Sequence, residues 1–302
     1  MDLRKLKDRL FTGGITVNTL LICSLLLIVI ITLFVKAFGI LDVAPLRVLL
    51  ISSDWDPENP AGAKFGFLSI ILGTLYVTLL AMSLAIPISV LSAIFIAEYA
   101  KGRLGVMFKS FMDVLASVPS VVFGMCAILV LVPLVRDYLA PLLGYTSTGF
   151  CVLTAGVTLA LMVCPIIVSV CVEAISSVPN EVREASLSVG ATKWQTVRSV
   201  VLRGSGAGIF SAILLGFGRA FGETMAVAMV VGNLVQISPD PFQPTTTLPT
   251  LIATNYGDMM SIPVYDSAIM TAASLLLVIV VVFNVLSRIV MNRAKRRWGD
   301  AS

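Results

Sequence analysis

Six apolar runs, at about 15–38, 68–97, 106–135, 150–172, 206–235 and 267–290, constrain this chain more than any other feature. Each has at least 21 residues, and a helix rising about 1.5 Å per residue needs about 20 to cross a hydrocarbon core about 30 Å thick. A chain that is 58% hydrophobic and 13% charged, with a mean hydropathy of +0.99, cannot be an ordinary soluble domain. Within lipid every backbone polar group must be paired internally, so the expected fold class is all-α and polytopic, with six transmembrane helices. The first run follows the charged segment MDLRKLKDRLFTGG but is too long for a signal-peptide core, and no small-residue cleavage site follows it. It is read as a retained helix.

Charge orients the spans. Lys and Arg cluster before the first run, around 101–109, within 183–203 and from 288 onward, and these groups account for 16 of the 21 basic residues. Lys36, Arg47, Lys64 and Arg136 belong to the opposite side, and Arg219 remains. The bias places both termini in the cytoplasm. The chain divides into a cytoplasmic segment 1–14, a first helix and long outer loop 15–65, a core 66–290 and a basic tail 291–302.

With no His and no cluster of carboxylates, metal binding and His-based catalysis lack ligands. The five Cys residues lie in apolar segments without CxxC spacing, as small hydrophobes do. No cofactor and no enzymatic site is expected.

Polar residues inside the runs mark candidate sites. Arg219 and Glu223 lie within GFGRAFGETMAVAMVVGN, and a four-residue spacing would put them on one helix face, close enough to pair. Intramembrane charges line wet pathways or pin helices together, and both readings stand here. Gly218 and Gly222 give a GxxxG spacing suited to close helix packing. In the third run, Ser117, Pro119 and Ser120 predict either a broken helix whose freed amides face an anion or a simple proline kink. Pro87 and Pro165 predict kinks in the second and fourth runs.

The loop 176–204 predicts two short helices. Pro179 fits a first helical turn, Gly190 a left-handed stop, and Thr192 with Gln195 a capping box. The outer loop 39–65, with Asp42, Asp54, Trp55, Asp56, Pro57, Glu58 and Pro60, suits a docking surface or a solvated linker. The outer loop 236–266 is proline-rich and amphipathic from Leu248 to Met260, which fits an ordered cap or an irregular loop.

Glu184-Ala185-Ser186, Gly190 and Val200-x-Leu202 fall at the spacing EAA-x3-G-x9-I-x-LP, and the chain resembles the permease subunits of ABC importers. It departs from that pattern at Ser186, Val200 and Arg203. The stretches GTL at 73–75, PSVVFG at 119–124 and GRAFGETMAV at 218–227 are similar to the phosphate-specific permeases, PstC and PstA, and the long first outer loop favours the PstC type. The resemblance implies the type I importer architecture. It also implies a coupling contact with an ATPase through Glu184, Ala185 and Gly190, and a substrate path including Arg219, Glu223, Ser117, Ser120 and Asn233. Implied partners are a second permease subunit in a heterodimer, two ATP-binding subunits and an external phosphate-binding protein. The segment Gly144 to Gly149 lacks the Lys-Ser/Thr of a phosphate loop, so ATP hydrolysis falls to a partner. Molybdate or sulfate import is the alternative within the class; a secondary transporter or channel would need no coupling loop.

Overall fold

The computed structural model describes residues 3–57, 63–100, 102–257 and 262–299. The expectations placed on Glu58, Pro60, Lys101 and Met260 lie outside these residues. Among the described residues six helices are long and apolar enough to cross a membrane: Phe11–Asp42, Leu68–Tyr99, Ser120–Leu142, Val152–Ser176, Lys193–Gly222 and Val264–Asn292, called spans 1 to 6 here. Span 4 is central, with 67% of its most apolar window buried, whereas the corresponding window of span 1 is wholly unburied and stands at the periphery.

Two spans differ from the sequence expectation. The run expected to cross from 106 begins instead with a separate helix, Arg103–Ser117, none of whose residues is buried. Val118 and Pro119 are extended, with ψ of 130° and 140°, and span 3 starts only at Ser120. The helix is therefore broken and not kinked, because extended residues ahead of and at the proline cannot continue an α-helix. The polar side of Arg103–Ser117 is tied to span 4 by Ser169, which donates to Asp113 at 2.8 Å, and by the Lys109–Glu173 ion pair at 3.7 Å. That polar stripe suits a membrane boundary better than its interior. The run expected at 206–235 is likewise two helices, Leu202–Gly222 and Met225–Val230.

Pro87 and Pro165 interrupt neither helix. Near them spans 2 and 4 meet: Ser89 donates to the Cys164 carbonyl at 3.3 Å, and the Cys164 thiol to the Ala85 carbonyl at 3.8 Å. Span 5 packs on span 4 through a small-residue stripe at every fourth position, Gly204, Gly208, Ala212, Gly216 and Ala220. A Cβ at Gly208 would fall 2.4 Å from the Ala174 Cβ, and one at Gly216 2.6 Å from Ile167. Close approach of this kind is what small residues permit. It does not run through Gly218 and Gly222, where a Cβ would meet nothing within 4 Å.

A second core lies under a cap at the opposite end from the loop 176–204. Trp55 packs against Phe65, Phe67 and Tyr265 at 5.6, 5.3 and 6.2 Å between ring centroids, across the short antiparallel pair β1 (Trp55–Asp56) and β2 (Lys64–Phe65). The cap helix Leu248–Asn255 starts in a capping box of Thr247 and Thr250. The Leu248 amide donates to Thr74 at 2.8 Å, and a Cβ at Gly73 would sit 2.4 Å from the Thr246 carbonyl. The Gly73-Thr74 dipeptide thus seats the cap, which is ordered as the first of its two sequence readings required.

Candidate functional site

The loop between spans 4 and 5 forms close to expectation, except that Pro179 stands just ahead of the first helical turn, as an extended N-cap with ψ 142°. Its first helix, Asn180–Ser188, follows Pro179. The helix stops where Gly190 adopts φ +88°, with its amide on the Leu187 carbonyl at 3.0 Å and the Ala191 amide on the Ser186 carbonyl at 3.3 Å. This paired closure is a Schellman motif, which a left-handed glycine serves best. Thr192 then caps the helix Lys193–Thr196 in a full capping box with Gln195. The departures from the EAA pattern have local accounts. Ser186 shares a 2.9 Å hydrogen bond with Thr196, and Arg203 supplies an amide where a proline would not, so span 5 runs on without a stop.

The loop is clamped to the end of span 2. Arg183 bridges Glu98 at 3.1 Å, with side chains only 16% and 10% exposed, and caps span 4 by donating to the Ile175 carbonyl at 2.8 Å and to that of Val178. Lys193 donates to the Glu98 carbonyl and lies 4.4 Å from the Tyr99 ring centroid. Glu184 and Ala185 are exposed, beside Val182, Leu187, Trp194 and Val189, the last 84% exposed. The clamped loop thus carries Glu184 and Ala185 together with several exposed apolar side chains.

The Arg219–Glu223 segment departs from expectation. The helix ends at Gly222, and Glu223 is extended with ψ 123°. Its carboxylate accepts from the Ala226 amide at 3.2 Å, capping the next helix. No ion pair joins it to Arg219 among the described residues. The one-face spacing fails because the helix does not continue through Glu223. Glu223 instead borders a space of about 10 Å³ with Thr74, Thr78 and Thr247. Arg219 lines a groove of about 720 Å³ between spans 5 and 6, with Arg288, Asn284 and Ser211.

The other path candidates lie apart from both spaces. Ser117 donates back to the Val114 carbonyl at 2.7 Å beside the break, and Ser120 opens span 3. Asn233, at φ +49°, follows left-handed Gly232 and donates to the Ala228 carbonyl at 2.8 Å, closing the helix Met225–Val230. Sequence reasoning counted Arg288 with the basic flank and passed over Asn284. The available signal was an Asn four residues before an Arg inside an apolar run.

Residues 85–299 match the family described as the binding-protein-dependent transport system inner membrane component. The chain belongs to this family. Among curated relatives, the phosphate transport system permease protein PstC of Xylella fastidiosa is 35% identical over 263 residues, covering 82% of this chain and 80% of its own. The probable ABC transporter permease protein YqgH of Bacillus subtilis is 33% identical, covering 90% and 89%. The probable phosphate transport system permease protein PstC of Methanocaldococcus jannaschii is 32% identical, covering 81% of both. Among solved structures, a bacterial alginate ABC transporter aligns with a TM-score of 0.69 at 16% identity, over 97% of this chain and 96% of its own. The MetNI methionine ABC transporter aligns at 0.59 and 17%, over 76% and 95%. These likenesses establish the permease fold, and with the six apolar helices they make this family member a multi-pass inner membrane protein.

Proposed function

We propose that this chain is the membrane-spanning permease subunit of an ATP-driven inorganic phosphate importer, of the PstC type, with both termini in the cytoplasm. The observation that carries this is the loop 176–204: it exposes Glu184, Ala185 and an apolar rim while Arg183 and Lys193 clamp it to span 2. A partner's movement against such a loop is transmitted to the membrane helices, which a secondary transporter or channel would not require. ATP hydrolysis belongs to two ATP-binding subunits docked there. A second permease subunit completes the path, and any close approach at Gly218 and Gly222 is made by it. The cap, with Trp55 in its core, receives an external phosphate-binding protein.

Phosphate as cargo is supported by relatives named as phosphate permeases and by Arg219, a guanidinium in a groove with no ion-pair partner among the described residues. Arg219 and Glu223, at a helix break, act as a gate on the path, with Ser117, Ser120 and Asn233 at the adjoining helix ends. Bringing a dianion in against an inside-negative potential costs about 2.3 kcal/mol per charge per 100 mV, so import needs an energy source, which ATP hydrolysis by the partner subunits supplies. The test is ATP-dependent uptake of labelled phosphate by the assembled complex in vesicles. Arg219→Lys and the paired Gln variant at 219 and 223 are expected to assemble normally and import poorly. Parental uptake by the paired variant would overturn the gate; preferred uptake of molybdate or sulfate would overturn the cargo.

A further inference from the structure

Resting on the phosphate reading, we infer that the groove between spans 5 and 6 is a second station for a phosphate-type oxyanion, with Arg288 as its specificity-determining residue. Its walls are matching helical stripes. On span 5, Ser211, Leu215 and Arg219 follow one another at intervals of four, and on span 6 Asn284 and Arg288 are also four apart. Such spacing keeps side chains on one face. The two helices run antiparallel. They meet at one end where the Ser211 hydroxyl lies 3.8 Å from the Met291 sulfur, and towards the other where Phe283 packs 4.6 Å from Phe217 and 5.3 Å from Phe221. The eight-residue intervals 211–219 and 283–291 each span about 12 Å, so the register agrees from both helices. Arg288 therefore stands nearer the basic end, and Arg219 deeper.

The chemistry selects for anions. Among the described residues neither Arg219 nor Arg288 has an ion-pair partner, and no Asp or Glu lines the groove. Two guanidiniums facing one space repel each other unless an anion lies between them, and their planar forks suit tetrahedral oxyanions. Asn284 uses one N–H on the Val280 carbonyl at 2.9 Å and keeps a second for a ligand. An ion leaving Arg219 thus meets a second weak hold before the cytoplasm, the multi-site arrangement that permits exit. A lipid headgroup offers the same phosphate chemistry.

The experiment uses the assembled complex in inside-out vesicles with Leu215→Cys, at a groove position 52% exposed. Its labelling above the parental background is followed with a negatively charged and a positively charged thiosulfonate. The expected result is faster reaction with the negative reagent and protection by inorganic phosphate. Arg288→Gln should lose this preference by about fivefold, as removal of a nearby unit charge implies, while Arg288→Lys retains most of it. Protection by phosphate in vesicles of phosphatidylcholine alone assigns the site to the free ion. Protection produced by added phosphatidylglycerol, with phosphate inert, assigns it to a lipid headgroup and overturns its place on the path. No charge preference and no protection in a complex that imports phosphate would sink the inference and leave the function standing. Protection without import would leave an oxyanion site in the groove but overturn the phosphate-import reading and with it the site's place on the path.

Discussion

The loop between spans 4 and 5 and the break at the end of span 5 use similar residues to opposite effect. In the loop, Gly190 stops one helix and Thr192 starts the next within the hydrogen bonds of its own few residues. At the break, Gly222 ends a helix and Glu223 caps the one after it, but the carboxylate that does so also borders a space formed by Thr74 and Thr247 from distant segments. Local rules predict the first because nothing competes for its groups. They fail at the second because Glu223 had two uses, as an ion-pair partner for Arg219 or as a cap, and tertiary packing chose between them.

If the loop's rigidity comes from its clamp as well as its turn, breaking the clamp should have the largest effect. Arg183 and Glu98 are nearly dry, and removing one partner leaves a charge stranded, at a cost of about 3 kcal/mol. Glu98→Ala should lower the thermal midpoint of the purified complex and loosen ATPase association. A midpoint equal to the parental value would mean that the turn alone holds the loop.

Glycines sharpen the contrast between packed and open positions. Gly73→Ala forces a Cβ onto the Thr246 backbone carbonyl, and overpacking of that kind costs about 2 kcal/mol. Gly218→Ala meets open space within the chain, and better helix propensity there is worth up to about 1 kcal/mol in stability. Thermal denaturation of both variants separates the two predictions. Equal losses would show that another subunit packs closely at Gly218.

The turn itself is a smaller test. Gly190→Ala at φ +88° meets no neighbour, so strain is its only direct effect, about 1 kcal/mol; Thr192→Ala loses a cap of about the same size. Both should reduce coupling of ATP hydrolysis to uptake more than they reduce expression. Unchanged coupling in both would indicate that docking relies on Val189 and Trp194 and not on the angle between the loop helices.

These cases explain what was legible in the sequence. Six spans, the capped loop and the cap helix follow from hydropathy and terminal residues, whose consequences are local. The start of span 3 was misplaced because Arg103–Ser117 mixes apolar residues with Lys109 and Asp113, and hydropathy alone does not separate a helix at the boundary from one that crosses. The packing stripe at 204, 208, 212, 216 and 220 was masked by the more conspicuous Gly218 and Gly222, since which glycine face meets span 4 is decided by span 4. Arg288 was hidden among flanking charges, because its partner in the groove, Arg219, is distant in sequence.

The smallest expected effect on stability tests the break directly. Because Arg219 faces the groove and Glu223 caps the next helix, a double-mutant cycle with Gln at both positions should give a coupling energy below about 0.5 kcal/mol, as for groups that share no partner. Glu223→Gln alone keeps an acceptor oxygen for the Ala226 amide and should be nearly neutral in the same assay. Uptake should behave differently, since gating depends on charge and capping does not: each single variant should slow phosphate import although the complex melts where the parental one does. A coupling energy of several kcal/mol would mean that the two groups pair in the assembled transporter. The break at Glu223 would then close when a second subunit is present, and the helix would run on as the sequence alone suggests.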